Sequence, residues 1–83
     1  MYIQKKGKLM DDKTLYKIIG QNIKKYRKAN NMTQQEFCER MKISLSYLTK
    51  IEAMHCDKSL SISLLNHIAN ELHLNIVDFF KEI

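Results

Sequence analysis

Residues 32–52 read MTQQEFCERMKISLSYLTKIE, and two helix starts stand eleven residues apart in them, at Thr33 and Ser44. Each presents a side-chain oxygen able to accept from the free N–H groups of a following first turn. Glu36 stands three residues after Thr33, the spacing of a capping box. Behind the starts, Phe37, Cys38 and Met41 share one face of a helix over Gln34–Met41, and Leu48 and Ile51 share one face of a helix over Leu45–Met54. About three residues join the two, too few for a relaxed loop, so the pair must turn sharply. This is helix-turn-helix spacing, an arrangement whose second helix is shaped to enter a DNA major groove.

Composition agrees with a small helical chain. Eighty-three residues make one domain with a single modest core. No proline, only two glycines and many good helix formers predict an all-α fold. The longest apolar run is far too short to cross a bilayer, and Met1–Lys13 lacks the apolar segment of a signal peptide, so a cytoplasmic protein with no membrane partner is expected. Cys38 and Cys56 form no CxxC pair, and His55, His67 and His73 show no ligand spacing. Reduced thiols and no metal or other cofactor are the expectation. The net charge is +5, unevenly spread: residues 1–58 hold 13 Lys/Arg against 6 Asp/Glu, +7, and residues 59–83 hold 1 against 3, −2. A basic part that contains the helix pair suits a chain presenting one face to a polyanion; solubilising lysines explain the charge alone equally well.

Residues 1–10 have no periodicity and carry Lys5, Lys6 and Lys8, which reads as a flexible basic arm before a domain over 11–83. The arm either follows phosphates or a minor groove, or is simply a disordered start or one that packs on a partner. A first helix is predicted from about Asp12 to Ala29, capped by Asp11 or Asp12, with Leu15, Ile19, Ile23 and Tyr26 as its buried stripe. Gly20 inside it costs about 1 kcal/mol relative to alanine, which points to a close helix neighbour. Asn30-Asn31 is a helix stop. A fourth helix starts at Ser59 or Ser61 and runs to about Leu72, with Leu64, Leu65, Ile68, Ala69 and Leu72 inward. Asn75 caps a fifth, Ile76–Lys81, whose Val77 and Phe80 can close the core; Phe79 and Ile83 are either left over as a dimer contact or fold onto the same core.

Ile23-x-x-x-Arg27, Met32-Thr33-Gln34, Ser44-x-x-Tyr47-Leu48-x-Lys50-Ile51-Glu52, and Ser59-Leu60 with Ile68-Ala69-x-x-Leu72 together resemble the Cro/C1-type (XRE-family) helix-turn-helix domain of phage and bacterial repressors. The resemblance spans about Ile19 to Phe80. Where that family often has glycine, in the turn and after the recognition and fourth helices, this chain has Lys42, Met54 and His73, and Lys58 replaces a common proline. A left-handed Lys42 is strained by roughly 1 kcal/mol.

The resemblance implies a five-helix, lambda-repressor-like bundle that binds double-stranded DNA sequence-specifically as a transcriptional regulator. A repressor of phage, mobile-element or toxin–antitoxin type, acting as a homodimer, is the expectation. It also implies an ion pair between Arg27 and Glu52 that fixes the angle of the first and third helices. Gln34, at a helix N-terminus, suits a phosphate oxygen. Ser44, Leu45, Ser46, Thr49 and Lys50 lie away from Leu48 and Ile51 and are the candidates for base edges: hydroxyls that donate or accept, an apolar contact to a thymine methyl, an ammonium for guanine or phosphate. Tyr47 is placed to offer its hydroxyl to a phosphate. Lys24, Lys25, Lys28, Lys42 and Lys58 are further phosphate neighbours.

No catalytic constellation, glycine-rich phosphate loop or small-molecule site appears, so enzyme activity is not expected. The competing reading is a protein-interaction module that keeps the helix-turn-helix scaffold, an anti-repressor or partner-binding subunit, since a fold alone does not fix function. A basic membrane-surface binder is a third and weaker reading.

Overall fold

The computed structural model describes residues 9–53 and 60–82. Their regular structure is α1 (Asp12–Ala29), α2 (Gln34–Met41), α3 (Leu45–Glu52), α4 (Ile62–Glu71) and a C-terminal 3-10 helix (Ile76–Phe80). The chain is all-α. The basic arm, apart from Leu9 and Met10, lies outside the described residues, as do Met54–Ser59 and Ile83.

Local chemistry explains each boundary. Asp11 accepts from the Thr14 N–H at 2.8 Å, Ser44 from Tyr47 at 3.1 Å and Ser61 from Leu64 at 3.0 Å. Thr33 and Glu36 form a reciprocal capping box at 3.0 and 2.9 Å. That hydrogen bonding, chiefly from the Thr33 backbone, holds the Glu36 carboxyl below its ordinary range. α3 ends at Glu52, two residues before Met54, with Ala53 as its cap. Three junctions close through a left-handed residue that is not glycine: Asn31 (φ 57°), Lys42 (φ 60°) and His73 (φ 57°). At each, N–H groups just past the helix return to its last carbonyls, as from Ile43 to Cys38 and from Leu74 to Ala69. Asparagine tolerates this conformation; lysine and histidine are strained in it by roughly 1 kcal/mol each.

The core gathers Ile19 and Ile23 of α1, Phe37, Cys38 and Met41 of α2, and Leu48 and Ile51 of α3. Leu60, with Leu65, Ile68, Ala69 and Leu72 around α4, and Phe79 complete it. Leu15, Tyr26 and Leu64 are only half-buried at its edge. The C-terminal segment departs from expectation in two ways. It is a 3-10 helix ending at Phe80, with Lys81 already extended, and the carbonyls of Phe79 and Lys81 accept from the Asn22 side chain (2.9 and 2.7 Å). Its inward residue is Phe79, fully buried and nearly perpendicular to the Tyr26 ring with centroids 6.1 Å apart, while Val77 is 55% exposed and Phe80 half-buried. The Asn22 bonds hold this backbone beside α1, where the Phe79 side chain is buried.

Gly20 sits where α1 crosses the end of α3. A Cβ there would strike the backbone carbonyl of Ile51, which cannot swing aside as a side chain can. Gly20→Ala is therefore expected to lower stability by more than about 1 kcal/mol, against the gain of similar size that alanine brings to an open helix; thermal unfolding followed by circular dichroism reads the sign. His73→Gly should act oppositely. It relieves left-handed strain at an exposed site and raises the melting temperature by about 2–6 °C, after allowance for glycine's unfolded-state entropy.

Candidate nucleic-acid interface

α3 divides into two faces. Leu48, Ile51 and Glu52 point inward and are buried. Leu45, Ser46, Thr49 and Lys50 fall within an arc of about 140° on the other side and are exposed, as is the cap residue Ser44. Leu45 is an exposed large apolar side chain at 48%. Tyr47 stands half-buried at the boundary. Two of the hydroxyls are partly committed: Ser44 Oγ accepts from the Tyr47 N–H, and Thr49 donates to the Ser46 carbonyl at 2.9 Å, leaving its oxygen as an acceptor. Ser46 and Lys50 project to solvent. The surface thus offers hydroxyls, one ammonium and one aliphatic group on a rigid rod of eight residues.

What aims this rod is a buried polar junction. Arg27 of α1 grips Glu52 at the end of α3 through two parallel bonds, Nε to Oε2 at 2.7 Å and Nη2 to Oε1 at 2.9 Å. The two side chains are 8% and 3% exposed. Arg27 Nη1 also donates to the Met32 carbonyl at 2.6 Å, in the link between α1 and α2. Gln34 Nε2 donates to Glu52 Oε1 at 3.0 Å from the first turn of α2. Four segments therefore meet on one guanidinium and one carboxylate. The Glu52 bonds push the Arg27 guanidinium above its ordinary value, overriding the burial that acts the other way. No buried side-chain nitrogen or oxygen among the described residues lacks a partner, so this desolvation is matched bond for bond.

Basic side chains border the rod. Lys13, Lys17, Lys24 and Lys28 are exposed and fall within about 60° of one another on α1. The α1–α3 contact passes through Gly20 and Arg27, and these lysines lie on its solvent flank, with the core on the other. Lys25 is separate: its ammonium lies 5.1 Å over the Tyr26 ring, towards the C-terminal segment. Lys42 is exposed in the turn. Lys58 falls outside the described residues.

The helix-turn-helix pattern of the HTH_3 family matches residues 23–79. The chain belongs to that family. The match takes in the Arg27–Glu52 junction, the turn and the outward face of α3. Similar solved structures include SinR, a master regulator for biofilm formation in complex with DNA, at 30% identity and TM-score 0.68, covering 76% of this chain and 98% of that one. The clp gene regulator ClgR from Corynebacterium glutamicum is 25% identical, with TM-score 0.69, 78% of this chain and 67% of its own covered. An HTH_3 family transcriptional regulator from Vibrio cholerae shares the fold at TM-score 0.73 and 24% identity, over 84% of this chain but 38% of that one. Among curated proteins none matches the sequence. No described helix is long and apolar enough to cross a membrane, and no described group of His, Cys, Asp and Glu is placed to hold a metal.

Asn22 and the Gln34–Glu52 bond escape a reading of the motif alone. Asn22 had a signal: it occupies an inward position three residues after Ile19, and a polar residue there needs an interior partner. The bond from Gln34 had none, since its partner is 18 residues away in sequence. Arg27→Met, which leaves Glu52 buried without its cation, is expected to lose roughly 3–5 kcal/mol in denaturant unfolding, and adding Glu52→Met to it should restore a large part of that loss.

Proposed function

We propose that this chain is a DNA-binding transcriptional regulator that reads sequence with α3 in the major groove. The observation that carries the reading is the outward face of α3, anchored behind by Leu48 and Ile51 and aimed by the Arg27–Glu52 junction. Ser46, Thr49 and Lys50 contact base edges, and Leu45 meets a thymine methyl. Ser44 and Tyr47 lie at the groove wall. Lys24 and Lys28, on the flank beside α3, neutralise phosphates without reading sequence. Gln34 holds the second helix to Glu52 through its amide nitrogen and presents that helix's N-terminus to a phosphate. Membership in the HTH_3 family and similarity to SinR, solved with DNA, support the same reading.

A rod of eight residues is about 12 Å long and reaches only a few base pairs, so a pair of chains on a palindromic site, with half-sites about one turn apart, completes the operator. Occupying such a site excludes other proteins from it, which suits a repressor of phage, mobile-element or toxin–antitoxin type working in the cytoplasm without catalysis.

Selection from random duplexes followed by titration at several salt concentrations tests this. Lys50→Ala and Ser46→Ala should relax the selected consensus, each good base contact being worth roughly 1–3 kcal/mol of discrimination. Lys24→Gln and Lys28→Gln should weaken all sequences alike and each flatten the log–log salt slope by about 0.9. Equal affinity for every duplex would refute sequence reading, and capture of a protein partner with no DNA affinity at low salt would favour the interaction module.

A further inference from the structure

The polar groups on the outward face of α3 differ in what they have left to offer. A free hydroxyl has one proton to donate and two lone pairs to accept with, and it rotates to suit its partner. Ser46, whose hydroxyl projects to solvent, keeps that choice. Ser44 Oγ accepts from the Tyr47 N–H at 3.1 Å, so its proton stays available. Lys50 has donors only. Thr49 is the reverse of both: its hydroxyl donates to the Ser46 carbonyl at 2.9 Å, and only lone pairs remain to face outward. A threonine in a helix has few χ1 rotamers, and one of them sets the hydroxyl against a carbonyl of the preceding turn. Turning the proton outward breaks that bond. An incoming N–H leaves it in place, and the two bonds then polarise each other favourably.

The bases present donors to the major groove only as the amino groups of adenine N6 and cytosine N4; guanine and thymine present acceptors. The side chains that ordinarily take those amino groups are Asn, Gln, Asp and Glu. The outward face of α3, from Ser44 to Lys50, has none of the four. We propose that Thr49 selects a base bearing an exocyclic amino group, adenine or cytosine, at one position of each half-site and rejects guanine and thymine there. The inference rests on the DNA reading above and adds to it the polarity of one contact. A guanine or thymine opposite Thr49 sets acceptor against acceptor until the proton leaves the Ser46 carbonyl. Ser44 and Lys50, with protons to give, are matched instead to phosphate oxygens or to guanine.

Two variants separate the chemistry of position 49 from its shape. Thr49→Ser keeps the hydroxyl, whereas Thr49→Val keeps the branched shape and removes the acceptor. Thr49 is exposed, so both should melt like the wild type. In selection from random duplexes, the wild type and Thr49→Ser should require adenine or cytosine at one position where Thr49→Val accepts any base. Purine in place of that adenine, or 2-pyrimidinone in place of that cytosine, deletes the amino group alone. It should weaken wild type and Thr49→Ser about fivefold, the worth of one net hydrogen bond, relative to Thr49→Val on the same duplex. Guanine or thymine at the position that Thr49→Val relaxes overturns the proposal. So does a consensus that Thr49→Val leaves unchanged, or an amino deletion that weakens all three proteins equally. Should Thr49→Val unfold, amino deletion at each adenine and cytosine of the consensus decides with the wild type alone, and no loss at any of them overturns the proposal. A wild type with no consensus at all defeats the DNA reading itself, an outcome distinct from a sequence read without this contact.

Discussion

The polar contacts that orient α3 converge on one carboxylate. Glu52 takes two bonds from Arg27 and one from Gln34, and Arg27 reaches onward to the Met32 carbonyl. A charge pair at this depth contributes little net stability, because withdrawing both groups from water costs about what their attraction returns. Its value is geometric. A planar guanidinium meets a carboxylate bidentately in few orientations, so the crossing of α1 and α3 is held to an angle that hydrocarbon packing alone would define loosely. Gly20 serves the same crossing, since without a side chain it lets the two backbones approach at the Ile51 carbonyl.

From that junction the molecule separates into surfaces of different character. α3 presents hydroxyls and an ammonium, α1 a lysine stripe along its flank, and α4 a neutral face turned elsewhere. The separation follows from helical periodicity. Each helix spends one arc on the core, and the remaining arc is free to specialise. α2 is spent almost wholly on support: its N-terminal box fixes the start, its apolar face fills the core, and Arg40 ties it to α4.

Much of this was legible in the residues. The starts at Thr33, Ser44 and Asn75 were readable because a capping oxygen and its partner lie within three residues of each other. The stripes of α1, α2 and α4 were readable because burial imposes a 3.6-residue period. Arg27 and Glu52 came from resemblance, and the structure shows them in contact. Pattern left open whether Phe79 joins the core, and it misplaced Val77 inward; Asn22, 57 residues away, binds backbone carbonyls of the C-terminal turn, which leave no trace in side-chain pattern. The outward residues of α3 could be named from sequence, whereas the Gln34 amide bond required the third dimension.

The Asn22 clasp carries a consequence for how the fold tolerates change. Because it holds main-chain oxygens, the identities of Phe79 and Lys81 are irrelevant to the bond itself. Phe79 is constrained separately by its burial in the core, whereas the exposed Lys81 side chain can change while the backbone stays moored beside the middle of α1. Any polypeptide grafted after this point would start from a backbone tethered to α1 as far as Lys81, so the berth of a fused module is set within two residues of the graft.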